Sequence, residues 1–237
     1  MTHVPRRTLL LRGITWSAAF QVLDVILSFG AMLVLVRIIP VGDYGRAAAV
    51  VGILGFLNLF NIHLFLEHAL QLPDDREPDW NLHWTYGFYL QTSLAVVGHA
   101  VAGLCWLVAP YRPIALLLHV AAFGILLDWP SQFSSVMLRR ALDLRRLRLV
   151  AAVGILLRLL TTLALAFAGK GAYAIVIGNN FVTAIPFGVD LLLIRGWRPA
   201  PGWWRPPEWQ RYAAERRFGA QRAGSNLVGG FRSALEA

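Results

Sequence analysis

Charged residues inside long apolar segments are the groups of this sequence best suited to chemistry. Asp24 and Arg158 each lie nine residues inside the start of such a segment, which corresponds to about 14 Å along a helix. A carboxylate and a guanidinium at that depth normally face protein or water. Two interpretations remain open. The residues form a structural ion pair, or Arg158 binds an anionic substrate while Asp24 tunes it or carries a proton.

Other polar side chains follow the helical repeat within the apolar segments. Gln21, Asp24 and Ser28 continue a stripe that begins at Ser17, with spacings of four, three and four residues. Such spacings place the side chains on one face of an α-helix, and we expect that face to point into a bundle. The remaining candidates for polar contacts or ion coupling in a cavity are Asn58, Asn61 and Asp128; Gln132 lies one turn after Asp128 and is also expected to point inward. For the asparagines, interhelical hydrogen bonding is the favoured interpretation.

The segments that position these groups are long and apolar. Of the 237 residues, 57% are hydrophobic and 15% are charged, which is too apolar for a water-soluble core. A helix needs about 20 apolar residues to cross a bilayer. Six segments meet this length: 15–36, 47–66, 86–109, 114–137, 149–168 and 172–194. They do not alternate as barrel strands do. The sequence therefore predicts an all-α, polytopic membrane bundle of six transmembrane helices.

Basic residues indicate the orientation of this bundle. Of the 22 Lys and Arg residues, 17 flank the segments on one side, eight of them from Arg195 onward. Because that side is retained in the cytoplasm, we expect both termini to be cytoplasmic. Tryptophans near segment ends predict an interfacial aromatic belt: Trp16, Trp84, Trp106, Trp129 and Trp197. The basic residues form no separate basic domain, so membrane lipid is an expected partner and nucleic acid is not.

The chain changes character after the sixth segment. We divide it into a six-span lobe (1–200), a basic linker and interfacial helix rich in Trp and Pro (201–224), and the start of a seventh helix (225–237). Amphipathic basic segments of this kind lie along the headgroups of anionic lipid. The last portion is too short to cross a membrane, which favours a truncated chain.

Sequence patterns for catalysis or metal binding are missing. Residues 169–171 contain part of a phosphate loop but lack the earlier glycine and the Ser or Thr after the lysine. The single cysteine, Cys105, supplies neither a disulfide framework nor a cysteine metal cluster. We expect no cofactor, no metal site and no enzymatic activity.

Several short segments resemble one family when taken in their order. They are residues 35–45 (LVRIIPVGDYG), 138–143 (LRRALD), 169–174 (GKGAYA), 197–199 and 217–219. These are similar to signature segments of the bacterial polysaccharide exporters and O-antigen (lipopolysaccharide) flippases, within the multidrug/oligosaccharidyl-lipid/polysaccharide exporter superfamily. The resemblance covers nearly the whole chain.

This resemblance implies a fold of two six-helix lobes around a central cavity, of which the chain supplies the amino-terminal lobe. It also implies that a polyprenyl-pyrophosphate-linked oligosaccharide is flipped across the bacterial inner membrane. Arg158 is then the first candidate to bind the pyrophosphate, and Arg37 is the second. A second lobe or a homodimer partner is expected. Two alternatives remain open: an integral-membrane enzyme, such as a polymerase or lipid-linked transferase, and a scaffold of envelope polysaccharide assembly.

Overall fold

The computed structural model is helical and contains no strand in the residues that it describes, which are 6–73, 75–206 and 209–235. This confirms the predicted all-α class. The helices are α1 (Arg6–Ile38), α2 (Val41–Asn58), α3 (Ile62–Gln71), α4 (Trp80–Leu107), α5 (Arg112–Arg140), α6 (Leu144–Phe167), α7 (Ala172–Ile177), α8 (Ile185–Val189) and α9 (Ala213–Leu235).

Five helical segments are long and apolar enough to cross a membrane. They are Ala18–Ile38, Trp80–Leu107, Ala109–Arg140, Leu144–Phe167 and Ala172–Ile194. Each coincides with one of the predicted spans. The protein is therefore a multi-pass membrane protein.

The second predicted span is built from two helices rather than one. α2 and α3 are separated at Leu59–Asn61, where each backbone N–H bonds to a carbonyl three residues earlier. The start of α2 lies against the α6–α7 turn. The contact is so close that a side chain at Gly171 would overlap Asp43. The end of α3 reaches the end of α5, where Arg140 binds the carbonyl of Ala69. The pair thus runs from one end of the bundle to the other as an interrupted helix.

The sixth predicted span is also irregular. Between α7 and α8 the chain forms a π-helical segment, Gly178–Val182, and a second one, Asp190–Ile194, follows α8. Pro186 lies in the first turn of α8. Proline has no N–H to donate and disrupts the turn before it, which agrees with the change of helix type at this point.

The most extensive helix packing occurs between α4 and α5. A Cβ placed on Gly98 would lie 3.0 Å from the Cβ of Ala122, so the small residue permits the approach of the two backbones. Around this contact lies one apolar core, formed by buried residues that include Val50, Leu54, Leu57, Leu117, Leu118, Ala121, Ile125 and Val176.

A second core, at the other end of the bundle, is aromatic. Trp84 is 4% exposed, and its ring centroid lies 4.1 Å from Trp129 and 4.9 Å from Trp197. Trp84 therefore belongs to the protein core, and its predicted place in an interfacial belt is wrong. The backbone carbonyl of Trp203 accepts a hydrogen bond of 2.7 Å from Thr85. These contacts fasten the segment after the last span onto α4 and α5.

The turn between α5 and α6 is defined by residues 138–143, one of the segments singled out in the sequence. Leu142 takes a left-handed backbone conformation, with φ 54°. The Asp143 carboxylate then accepts the N–H of Arg146 and caps α6. Beside this turn, the Arg140 guanidinium donates to four backbone carbonyls. One is that of Ala69 near the end of α3, and the others belong to the loop after α3, at Leu72, Pro73 and Arg76.

Helix α9 packs against α3 and runs without interruption through residue 224. There we predicted the boundary between an interfacial helix and the start of a seventh helix. Tyr212, just before α9, is fully buried, and burial raises the pKa of its phenol well above the ordinary value. The division of the chain at 200 and 224 stays a prediction.

The Arg140 contacts lead to a stability prediction. Arg140→Ala removes the charged donor of several carbonyls, so we expect a loss of about 2 kcal/mol in unfolding free energy. Arg145→Ala, an exposed arginine on the neighbouring helix, serves as the control and is expected to change it by less than about 0.5 kcal/mol. Thermal unfolding of the purified protein in detergent, followed by tryptophan fluorescence, measures both. Equal stability of the two variants would contradict the role of Arg140.

Candidate functional site

The structure brings Asp24 and Arg158 together, as their equal depth predicted. The Nη2 atom of Arg158 lies 3.5 Å from Oδ1 of Asp24. The same atom donates a 2.9 Å hydrogen bond to Ser28, and the Ser28 hydroxyl donates to Asp24 at 2.9 Å. Nη1 of Arg158 reaches Oδ1 of Asn179 at 3.5 Å. We call these four residues the Arg158 cluster.

The Arg158 cluster adjoins a cavity between α1, α2, α6 and the segment that follows α6. The cavity has a volume of about 310 Å³ and its polar lining includes Ser28, Arg158, Thr162 and Asn179. Most of the remaining lining is apolar: Ala31, Met32, Leu35, Ala47, Ala48, Val51, Leu159 and Ile175. Tyr44 also lines it, and its buried hydroxyl has no hydrogen-bond partner among the described residues. The cavity therefore combines a cationic polar group with apolar walls.

Two predicted site residues lie away from this cluster. Gln21 is exposed, although it shares the predicted stripe with Asp24. Arg37 is also exposed and lies in the last turn of α1, about 20 Å along the helix from Asp24. Ser17 lies outside the residues whose side chains are described. The roles of Gln21 and Arg37 in binding stay predictions.

A second polar group surrounds the break between α2 and α3. Asn61 is buried, and its Oδ1 accepts a 3.1 Å hydrogen bond from Nε2 of Gln91. Its Nδ2 donates to Asn58 at 3.4 Å, and its side chain also hydrogen bonds with Asp128. Gln91 is fully buried and its Oε1 has no hydrogen-bond partner in the described part of the chain. Three of the predicted polar residues, Asn58, Asn61 and Asp128, thus meet at one place. They lie around Gln91, which the sequence analysis missed.

Asp190 is the charged residue that sequence reasoning missed. It is 2% exposed, lies 2.7 Å from Nε of Arg146 and 3.0 Å from Nε of Arg195. Arg195 also donates to Ser134 at 2.7 Å. Burial lowers the pKa of the Arg195 guanidinium, and the nearby Asp190 opposes that shift. An acidic residue within the segment 172–194 was the signal that could have identified this cluster.

Two histidines that the sequence did not connect also meet. Nδ1 of His99 in α4 lies 3.0 Å from Nδ1 of His119 in α5. A metal site normally needs further ligands, and no group of three or more His, Cys, Asp or Glu residues suited to a metal ion occurs within the described ranges.

The comparisons with known proteins place the chain on the level of a family. Residues 34–235 match the family model described as "Polysaccharide biosynthesis protein", and this confirms the resemblance recognised in the sequence. No curated protein and no solved structure gives a match.

The Arg158 cluster leads to a prediction on coupling. Asp24→Ala and Arg158→Ala each leave the partner charge in apolar surroundings. We therefore expect the double variant to lose about 1 to 2 kcal/mol less unfolding free energy than the sum of the two single losses. A double-mutant cycle, measured by thermal unfolding in detergent, gives this value. Gln21→Ala with Arg158→Ala is the control cycle, because Gln21 is exposed, and we expect additivity. Additive losses in the Asp24 cycle would refute the pairing.

Asp190 leads to a separate stability prediction. Asp190→Asn leaves Arg146 and Arg195 without their buried counter-charge, and we expect a loss of about 3 kcal/mol. Glu67→Gln is a matched control, because its ion pair with Arg222 is more exposed, with side chains 24% and 52% accessible. We expect it to cost less than about 1 kcal/mol. Similar melting temperatures for the two variants would show that the Asp190 contacts add little.

Proposed function

Because the chain belongs to a family of polysaccharide biosynthesis proteins, we propose that it is a flippase that moves a polyprenyl-pyrophosphate-linked oligosaccharide across the bacterial inner membrane. The proposal names a transport activity rather than an enzymatic one. Its support lies in the chemistry of the cavity that adjoins the Arg158 cluster, which we call the Arg158 cavity.

The observation that carries this proposal is a guanidinium next to an apolar cavity. Arg158 faces the cavity, and its ion pair with Asp24 is long, at 3.5 Å. A pyrophosphate must leave water to cross the membrane, and an arginine fork binds phosphate oxygens in bidentate fashion. Ser28 holds the guanidinium in place at 2.9 Å. In the proposed mechanism the pyrophosphate takes the position of the Asp24 carboxylate, which is then free to accept a proton.

The apolar walls suit the lipid part of such a substrate. Met32, Leu35 and Val51 line the cavity from α1 and α2. A polyprenyl chain gains from contact with apolar side chains, while its oligosaccharide needs an aqueous path that a second lobe would complete. We propose that this second lobe is either another part of the protein or a second copy of the chain. Transport then follows from rocking of the two lobes.

Coupling to an ion is assigned to the polar group at the break between α2 and α3. Asp128 supplies a carboxylate there, and Asn61 and Gln91 supply amide oxygens. Interrupted membrane helices lined by such oxygens are typical of sites for Na⁺ or H⁺. In the proposed orientation both termini are cytoplasmic, since the arginine-rich flanks lie on that side.

Replacement of Arg158 tests the proposal. In the full protein in its host, Arg158→Ala is expected to stop surface polysaccharide export and to cause lipid-linked oligosaccharide to accumulate on the cytoplasmic side. Arg158→Lys keeps a charge but loses the fork, so we expect partial export. Extracted lipid-linked oligosaccharide, surface polysaccharide and protein levels are measured together.

Arg112→Ala is the matched control, because Arg112 is exposed at the start of α5 and lies outside the cavity. Arg37→Ala tests the second candidate in the same assay. Normal export by Arg158→Ala at normal protein levels would remove Arg158 from the mechanism. Two other results would reject the flippase: failure to form the lipid-linked oligosaccharide chain at all, which indicates an enzyme, and loss of other assembly proteins without a transport defect, which indicates a scaffold.

A further inference from the structure

A second cavity lies between α5, α6 and α8, at the end of the bundle where α5 ends and α6 begins. Its volume is about 460 Å³. Arg139 and Arg148 contribute guanidinium groups from the two helices, and Ser131 and Ser135, both nearly buried, contribute hydroxyls. We call it the Arg139 cavity. It is formed by different helices from the Arg158 cavity, apart from α6, and shares no lining residue with it.

The charge of the Arg139 cavity is cationic. None of the described residues that line it is acidic. The acidic residues near this end are engaged with other groups: Asp143 accepts the N–H of Arg146, and Asp190 contacts Arg146 and Arg195. None of the ion pairs within the described ranges involves Arg139. The lining therefore favours an anion whose oxygens accept hydrogen bonds from guanidinium and hydroxyl groups.

The position and the walls of the cavity favour a lipid as the source of that anion. Arg139 and Arg148 belong to the basic segment that flanks two membrane-spanning helices. Leu147 and Phe187 supply apolar surface to the same cavity. Contact with apolar walls does not stabilise a free phosphate. In a phospholipid the phosphodiester is joined to a glycerol and acyl chains, which such walls do stabilise. Basic pockets between membrane helices typically bind anionic headgroups.

We propose that the Arg139 cavity is a binding site for the phosphodiester headgroup of an anionic phospholipid. Arg139 and Arg148 hold the phosphate from two helices, the serine hydroxyls donate to its ester oxygens, and the apolar residues contact the glycerol and the first acyl carbons. Such a lipid bridges α5, α6 and α8. The proposal does not depend on the transported substrate or on Arg158.

The test uses the full chain purified in a neutral detergent and native mass spectrometry during titration with phosphatidylglycerol. Phosphatidylcholine is the zwitterionic reference, and inorganic phosphate is added as a competitor in a separate arm. We expect phosphatidylglycerol to bind more tightly than phosphatidylcholine. Arg139→Gln and Arg148→Gln are each expected to weaken phosphatidylglycerol binding about fivefold. Circular dichroism verifies that every variant is folded. We expect Arg139→Gln to fold because Arg139 is exposed.

Arg145→Gln is the matched control, because it removes one charge from the same end of α6 but does not line the cavity. It is expected to change the affinity less than about twofold, and Arg158→Ala is expected to leave it unchanged. Equal losses of phosphatidylglycerol affinity in Arg145→Gln and Arg139→Gln would show that the binding depends on diffuse surface charge, and would overturn the proposal. Equal binding of the two lipids, or full displacement by inorganic phosphate, would overturn the lipid assignment. Loss of phosphatidylglycerol binding in Arg158→Ala would place the lipid in the other cavity.

Discussion

An ionised side chain within an apolar helix is stable only where an opposite charge or a polar group meets it. That constraint decides how α1 packs. Asp24 and Ser28 face Arg158 of α6. Among residues 18–38, where the side chains of α1 are described, many large apolar side chains are exposed, as expected for contact with lipid. In the first turn of α6, Arg146 meets the buried Asp190. Two ionic contacts therefore fix α6 between the first and last membrane segments.

The features that were predictable from the sequence depend on hydropathy averaged over a segment and on the depth of a residue within its span. Hydropathy over about 20 residues is sufficient to identify the helical class and the continuous spans, because each span must satisfy its backbone internally. The ion pair was predictable because the predicted spans that carry Asp24 and Arg158 begin on the same side, and both residues lie nine positions inside them. The helical repeat was informative for Asp24 and Ser28, which are only partly exposed.

The features that were not predictable depend on local contacts between distant residues. Gln21 shares the helical stripe of Asp24 yet is exposed, whereas Asp24 and Ser28 are partly buried. Trp84 is near a span end, as an interfacial residue would be, but three other tryptophans surround it. The break at Leu59–Asn61 carries no Gly or Pro. It is accompanied instead by side-chain bonds from Asn61 to Gln91 and Asn58, which a hydropathy window does not detect.

That break has a consequence for how the second span is anchored. Its two halves are anchored separately: α2 belongs to the apolar core with α4, α5 and α7, whereas α3 is held by the aromatic core and by Arg140. The three short-range backbone bonds at Leu59–Asn61 extend the end of α2, because their acceptors are the carbonyls of Phe56, Leu57 and Asn58. The break therefore divides the second span into two halves that are anchored in different cores, while α4 and α5 run without interruption through both.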